Sequence, residues 1–242
     1  GLDDLRAFHA AHYVARSAAV TIVGALSRAE AEALALQLTE ALPAGEPLAP
    51  PTDPALPQGG ERRVPHHATQ AHIHLGLPAL KRGDPDFYAL TVGNYTLGGG
   101  GFVSRLMKEV RDKRGFAYSV YSYFAPMQVA GPFQIGLQTK RAQTGDALKV
   151  TRDVLQQFLA EGPSEVELAA AKANIVGSFP LRLDTNRKIL DNVAAIGFFG
   201  MPLDYLDTYA DKVRKVTAAD VRAAFARHVR PEHLVTVVVA GD

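Results

Sequence analysis

The first stretch of the chain alternates between helical and strand spacing of its apolar residues. Residues Leu2–Tyr13 place apolar side chains on one face, which predicts a helix. Ala18–Val23 is a short β-branched run, and its length and composition predict a buried strand. A second helix is expected from Ser27, where Glu30 three positions on completes a capping box, to about Leu42.

The longer stretch that follows residue 60 mixes strand and helix patterns. Gln70–Leu77 alternates apolar and polar residues, and Asp84 or Asp86 is expected to cap the helix after it. The runs Phe116–Phe124 and Pro132–Thr139 also alternate, and a glycine-containing turn between them predicts a hairpin. The remaining predicted elements are helices over Thr144–Leu159, Ser164–Leu183, Asn186–Phe199 and Leu203–Val213, a helix from Thr217, and a strand over Leu234–Val239.

The segment Asn94–Phe124 organises the rest of the chain. Four consecutive glycines, Gly98, Gly99, Gly100 and Gly101, allow backbone conformations and close approaches that other residues cannot reach. An amphipathic helix is predicted over Ser104–Lys113, followed by the aromatic strand. A tight turn between them would bring Arg111 and Tyr118 together, a guanidinium and a phenol that could hold a peptide carbonyl.

Strict alternation in the aromatic strand assigns its side chains to two faces. On this pattern Phe116, Tyr118 and Val120 share one side. The other side would carry Ala117, Ser119, Tyr121 and Tyr123. Residue chemistry alone favours the other interpretation, in which Arg111 is a solvated helix residue and Tyr118 a half-buried strand residue.

Residues 43–60 separate the two patterned regions. Six prolines and three glycines in this span exclude a helix or a central strand, so a linker is expected, with a long surface loop as the alternative. On this division residues 1–42 and 61–242 are two structural parts.

An internal sequence similarity indicates what residues 1–42 are. Asp4–Gly24 resembles Asp220–Gly241, since both carry an acidic cap, an amphipathic helix, a histidine near its end and a β-branched strand. The second copy closes the part at 61–242. The first copy would then close a preceding homologous repeat, so residues 1–42 are expected to be its C-terminal tail. A chance match of two common helix–strand endings is the alternative.

Composition narrows the classes of function. A net charge of +1 gives no electrostatic case for nucleic acid or an anionic membrane, and the absence of cysteine excludes disulfides and thiolate metal sites. No apolar run approaches the roughly 18 residues of a membrane span, so membrane insertion is not expected. The chain begins at Gly1, and we expect a processed or truncated product. The sequence does not fix the compartment, and bacterial periplasm and cytoplasm both fit.

No self-sufficient catalytic constellation is visible in the sequence. Neither H-x-x-E-H nor H-E-x-x-H occurs, and no serine lies in a G-x-S-x-G elbow. The glycine run lacks the G-K-[ST] of a phosphate loop and follows no strand, so it fits no dinucleotide site. His72 and His74 share one strand face, with His66 and His67 upstream, and form a weak metal-site alternative to plain polar surface.

The run YTLGGGGFVSRLMKEVRDKRGFAYSVYS at residues 95–122 resembles the matching segment of the pitrilysin-like inverzincin metallopeptidases. The segments FHAAHYVARSAAVTIVG and TQAHIHLGLP agree with that resemblance, which covers essentially the whole chain. It implies α+β repeats, each a largely antiparallel β-sheet with helices packed on one face. It also implies a clamshell of two homologous halves, fused or separate as a heterodimer, around a peptide chamber.

The resemblance further implies roles for the two halves. One half carries H-x-x-E-H and zinc, and the other supplies an arginine and a tyrosine that bind the peptide substrate near the metal. Arg111 and Tyr118 match that pair, with Arg114 as the competitor for the arginine role, and Gly98–Gly101 would line the chamber. This chain would then bind no cofactor itself and would act as the zinc-free half of a metalloendopeptidase. A zinc motif in a missing upstream repeat is compatible with the same role.

Two other classes of function remain open at this stage. The first is a non-enzymatic scaffold subunit like the core proteins of respiratory complexes, and the second is a peptide-binding module without hydrolysis. Whether the chain takes part in an enzyme therefore depends on a zinc-bearing partner.

Overall fold

The computed structural model describes residues 1–240. Contacts divide the chain into two compact units, Gly1–Pro51 with Ser178–Tyr205, and Thr52–Gly177 with the chain from Leu206 onward. The α-helices are α1 Leu2–His12, α2 Arg28–Thr39, α3 Phe87–Asn94, α4 Thr144–Glu161, α5 Glu165–Ser178, α6 Asn186–Phe199, α7 Tyr205–Lys215 and α8 Ala218–His228. The strands are β1 Gly60–Pro65, β2 Gln70–Leu80, β3 Ala117–Phe124, β4 Gly131–Lys140 and β5 Val235–Ala240.

The second unit is built on one five-stranded sheet in the order β1-β5-β2-β4-β3. Strands β2, β3, β4 and β5 pair antiparallel, and β1 pairs parallel with β5. The predicted α+β class with a largely antiparallel sheet is therefore confirmed. The β3–β4 hairpin is confirmed as well, whereas β1 directly follows the proline-rich segment and was not predicted.

Helices cover one face of this sheet and enclose the core. Alternate residues of β2 are buried there, including Ile73 and Leu75, which are fully inaccessible to solvent. Four rings from α4, α8, β3 and β4 form a continuous aromatic cluster, with centroid distances of 4.8–5.6 Å between neighbours. Its members are Phe124, Phe133, Phe158 and Phe225. The opposite face of the sheet carries the polar alternate residues.

Local capping explains where several helices begin. Ser27 and Glu30 form the predicted reciprocal capping box at α2. The same arrangement occurs at α5 between Ser164 and Glu167 and at α8 between Thr217 and Asp220. Each box satisfies backbone donors that a helix start leaves unpaired. These boundaries were readable from the sequence because capping depends on neighbours three residues apart.

The predicted strand at Ala18–Val23 is wrong as the structure stands. Those residues lie outside every strand, although Ala18 has an extended backbone. A strand forms only when a neighbouring strand supplies hydrogen bonds, and none of the described strands pairs with this segment. Within Gly1–Pro51 the only buried residue is Val14, and apolar side chains such as Leu5 and Phe8 are exposed.

The internal sequence similarity between Asp4–Gly24 and Asp220–Gly241 extends to backbone geometry. Helices α1 and α8 have equal length and equivalent ends, because residue 2 matches 218 and residue 12 matches 228, a shift of 216 positions. The 3₁₀ turns Ala15–Ser17 and Pro231–His233 follow at the same shift. Each turn is closed by an equivalent amide-to-carbonyl bond of 3.1 Å, Ala18 to Ala15 and Leu234 to Pro231. At this shift residues 19–24 are the counterparts of strand β5.

Candidate functional site

The helical segment that carries Arg111 is wider than an α-helix. Met107–Asp112 forms a π-helix, in which the Lys113 amide donates to the Lys108 carbonyl at 3.0 Å, five residues back. The helix predicted over Ser104–Lys113 is confirmed, but its π-helical form over Met107–Asp112 was not predicted. Hydrophobic spacing does not separate α- and π-helices, because they differ by about one residue per turn. The chain then reverses, and the Gly115 amide donates to the Arg111 carbonyl at 2.8 Å.

A β-bulge sets the direction of Tyr118. The register of β3 with β4 shifts between Ala117 and Val120, so one extra residue is inserted. The strict alternation expected for this strand was wrong here, because Ala117 lies buried on the same side as Val120 while Tyr118 and Ser119 are both exposed. The freed Val120 amide contacts the Met107 sulfur at 3.5 Å. The bulge thus turns the phenol of Tyr118 away from the core, leaving it 88% exposed.

Arg111 and Tyr118 meet on one side of the second unit. The guanidinium carbon of Arg111 lies 5.7 Å from the Tyr118 ring centroid and 4.8 Å from the Phe102 centroid. Its Nη1 also donates to Asp112 Oδ1 at 3.0 Å. Arg111, Asp112 and Tyr118 line a cavity of about 790 Å³ that extends over the open face of the sheet. Phe102 and Asp112 were not predicted; the only signal for Phe102 was that it directly follows the glycines.

Arg114, the other arginine considered, has a different environment. Its Nη1 donates to the carbonyl and to a carboxylate oxygen of Glu109, both at 2.8 Å. Lys113 and then Arg114 hold the pKa of the Glu109 carboxyl below its usual range. Arg114 does not line the cavity of about 790 Å³ that Arg111 and Tyr118 share. The geometry therefore favours Arg111 over Arg114 as the partner of Tyr118.

Three glycines of the run Gly98–Gly101 pack closely against neighbouring residues. A Cβ at Gly98 would lie 2.5 Å from Ser122 Oγ and 2.6 Å from its amide nitrogen, so the helix end approaches β3 too closely for any side chain. Gly99 and Gly100 pack in the same way against Asn94 and Tyr95. The run Gly98–Gly101 does not line the cavity of about 790 Å³. Gly98 therefore allows the segment to lie close to β3, and the run leads the chain to Phe102.

Polar side chains cross the open face of the sheet in a row. Tyr123 donates its hydroxyl proton to Gln134 at 2.8 Å, and the Gln134 amide nitrogen lies 2.7 Å from His74 Nδ1. His74 and His72 both line the cavity with Arg111. No third metal-ligating group joins the two histidines within the described residues. They extend the polar wall of the cavity toward the middle of the sheet.

One cluster in residues 1–240 has metal-type side chains, namely Asp84, Asp86 and His228. Arg227 already binds both carboxylate oxygens of Asp86 at 2.7 Å, and His228 Nε2 lies 3.0 Å from the same carboxylate. The Arg227 hydrogen bonds hold the pKa of Asp86 below its usual range. A forked arginine supplies the positive charge that a cation would bring, so this donor set does not fit a zinc ion.

Among the helices of the described part of the chain, none combines the length and apolar character that a bilayer-spanning helix requires.

Comparison with known proteins assigns the family. Residues 1–175 match the model of the peptidase M16 inactive domain. The chain belongs to the peptidase M16 inactive-domain family. It is similar to an uncharacterized zinc protease of Streptomyces coelicolor, with 34% identity over 75% of this chain and 40% of that protein. It is also 28% identical to a non-peptidase homolog of Helicobacter pylori, over 76% of this chain and 46% of that protein.

A solved structure gives the same assignment. The peptidase M16 inactive domain from Pseudomonas fluorescens is 39% identical and superposes with a TM-score of 0.92, covering all of this chain and 58% of that one. The resemblance to zinc metallopeptidases inferred from residues 95–122 is thereby confirmed at the level of the family. The chain spans less than half the length of the two curated relatives above.

Proposed function

We propose that this chain is the zinc-free half of a zinc metalloendopeptidase and binds the substrate peptide opposite a zinc-bearing half. The observation that carries the proposal is the joint presence of Arg111 and Tyr118 at one cavity of about 790 Å³, with 5.7 Å between the guanidinium carbon and the phenol ring. Membership in the inactive-domain family supports a role beside a catalytic half.

The chemistry of the two side chains suits a peptide carbonyl. A guanidinium offers a planar fork of donors and a phenol offers one more, and both lie on the solvent-exposed side of the fold. Asp112 takes one Arg111 donor, at Nη1, so the other nitrogens of the fork can bind a substrate oxygen. Donors fixed before the substrate arrives stabilise charge that develops on that oxygen in the transition state.

The partner half would carry H-x-x-E-H, either fused to this chain or separate. Zinc bound there supplies polarisation of the scissile carbonyl and activation of water. Within this division of labour Arg111 orients the peptide backbone and Tyr118 donates to the carbonyl oxygen. Neither residue moves a proton to the leaving group.

A cleavage assay with the zinc-bearing half tests the proposal. The probe is β-casein, an unstructured protein substrate, incubated with a homologous H-x-x-E-H chain in the presence and absence of this one. We expect cleavage only when both are present, and Tyr118→Phe should lower kcat about 100-fold while changing KM less. Arg111→Ala should also weaken cleavage, and Arg114→Ala is its matched control, because Arg114 binds Glu109 and does not line the cavity. An unchanged kcat in Tyr118→Phe rejects the role of the phenol.

A scaffold without peptidase activity is the second candidate. It is favoured by the similarity to a Helicobacter pylori protein described as a non-peptidase homolog. A scaffold would associate with a partner yet neither bind nor cleave β-casein. A peptide-binding module would bind it without cleavage by the pair. The same assay, read for binding as well as cleavage, therefore distinguishes all three classes.

We also infer that residues 1–42 close a preceding homologous repeat. Residues 19–24 match β5 at the shift of 216 positions, and β5 is an interior strand between β1 and β2. To form an equivalent strand, residues 19–24 would need one parallel and one antiparallel strand from another repeat as neighbours.

Hydrogen exchange tests this domain assignment. The chain is compared alone and with the upstream segment of its parent protein attached. Amides of residues 19–24 should exchange fast alone and become protected in the longer protein, while those of β5 stay protected in both. Continued fast exchange at residues 19–24 in the longer protein contradicts the assignment.

A further inference from the structure

The guanidinium of Arg111 lies close to two aromatic rings. Its central carbon lies 4.8 Å from the Phe102 centroid and 5.7 Å from the Tyr118 centroid, both within the roughly 6 Å over which a cation is attracted to a ring face. Asp112 fixes a third direction through its bond to Nη1 at 3.0 Å. Three contacts from three positions in the chain thus restrain one long side chain.

We propose that Phe102 is a positioning residue that holds the Arg111 guanidinium at the cavity in the orientation a substrate carbonyl requires. The inference deepens the proposed function and rests on it for the identity of the ligand, a peptide backbone. An unrestrained arginine side chain loses rotamer freedom when it binds. A guanidinium that is already restrained loses less, so the peptide meets an ordered donor.

The backbone around Phe102 is built to present its ring. Gly101 takes a left-handed φ of 60°, and a 3₁₀ turn spans Gly101–Val103. Ser104 closes this turn, because its amide and its hydroxyl donate to the Gly101 carbonyl at 3.0 and 2.7 Å. The turn fixes where Phe102 leaves the chain, although the ring is 65% exposed and adds little to the core. The exposed ring therefore contributes through its contact with Arg111 and not through the core.

Tyr118 alone does not provide the same restraint. Its ring is the more distant of the two, and it is also the donor proposed to contact the substrate. If Tyr118 turns toward the peptide, Phe102 and Asp112 remain to hold Arg111. Phe102 therefore separates the positioning of the guanidinium from the binding of the carbonyl.

The first experiment measures Arg111 directly and needs no partner. Phenylglyoxal modifies accessible arginines, and mass spectrometry of Asp-N fragments follows the rate at Arg111. The variants are Phe102→Leu, which keeps an apolar side chain without a ring, and Phe102→Tyr, which restores a ring. Phe198→Leu is the matched control, since Phe198 is similarly exposed, at 60%, and stacks edge-on against Phe199 instead.

We expect the Arg111 rate to rise about two- to five-fold in Phe102→Leu, the size of an exposed cation–ring attraction. The rate should return to the original value in Phe102→Tyr and stay unchanged in Phe198→Leu. An unchanged rate in Phe102→Leu overturns the proposal. The proposal is also overturned if the rate in Phe102→Tyr is as high as in Phe102→Leu, because a ring at position 102 then fails to restrain Arg111.

The second experiment asks whether positioning matters for peptide cleavage with the zinc-bearing half. Because the restraint lowers the cost of binding the peptide, Phe102→Leu should raise KM about two- to five-fold, with Phe102→Tyr restoring it and kcat changing less. An unchanged KM in Phe102→Leu overturns the link between the positioning of Arg111 and peptide binding. If the unmodified pair fails to cleave β-casein, the proposed function fails, while the phenylglyoxal result still decides the restraint on Arg111.

Discussion

Replacing Gly98 by alanine tests whether the glycine run serves packing or substrate contact. The new Cβ would lie 2.5 Å from Ser122 Oγ, 2.6 Å from the Ser122 amide nitrogen and 2.8 Å from a Leu106 methyl. Real carbon contacts are not that short, and the backbone amide belongs to β3 and cannot rotate away. The π-helical segment Tyr95–Gly99 must therefore move from the strand.

The displacement also breaks one of two hydrogen bonds that join Asn94 to Ser122. Ser122 Oγ donates to Asn94 Oδ1 at 2.6 Å, and Asn94 Nδ2 donates to the Ser122 carbonyl at 3.0 Å. Overpacking costs about 1–3 kcal/mol, and loss of one such bond adds about 1 kcal/mol. We therefore expect Gly98→Ala to lower the free energy of unfolding by about 2–4 kcal/mol. At about 3 °C per kcal/mol, the melting temperature falls by roughly 6–12 °C.

Far-ultraviolet circular dichroism during thermal and urea unfolding measures this change. Two glycines provide matched controls. Gly145 in α4 has open space around its missing side chain, so Gly145→Ala should be neutral or stabilising by up to about 1 kcal/mol. Gly101 also has open space but a φ of 60°, so Gly101→Ala should cost about 1–2 kcal/mol from conformation alone. If Gly98→Ala unfolds within about 0.5 kcal/mol of the original chain, the close-approach argument is wrong.

The remaining predictions concern ion pairs. Hydrogen bonds from Arg105, followed by those from Ser164, lower the pKa of Glu167 from 4.5 to about 2. Because this folded pKa lies below the unfolded value, the carboxylate stabilises the fold fully above about pH 4.5 and progressively less toward pH 2. In Glu167→Gln the free energy of unfolding, measured with urea, should therefore fall less steeply between pH 4.5 and pH 2. An equally steep fall contradicts a contribution of the Glu167 carboxylate to this pH dependence. Asp86→Asn weakens the forked contact to Arg227 at 2.7 Å and should lower the midpoint of urea unfolding, and an unchanged midpoint contradicts a stabilising role for this pair.

The sequence by itself determined the features that depend on near neighbours. Capping boxes at Ser27, Ser164 and Thr217 join residues three apart, so their bonds follow from local order. The hairpin of β3 and β4 and the buried face of β2 follow from alternation, since a period of two is a local property of the chain. The short turn between Arg111 and Tyr118 also followed from the sequence, although the direction of the Tyr118 side chain did not.

Only the tertiary structure decided what depends on distant partners. Ala18–Val23 has a strand-like composition, yet without a neighbouring strand it has no hydrogen-bond partner to make it one. The bulge that exposes Tyr118 arises from register with β4, which strict alternation does not reveal. Phe102 became part of the site through the turn that brings its ring onto Arg111. Local periodicity specifies which residues can face a core, whereas pairing and packing across the fold decide which of them do.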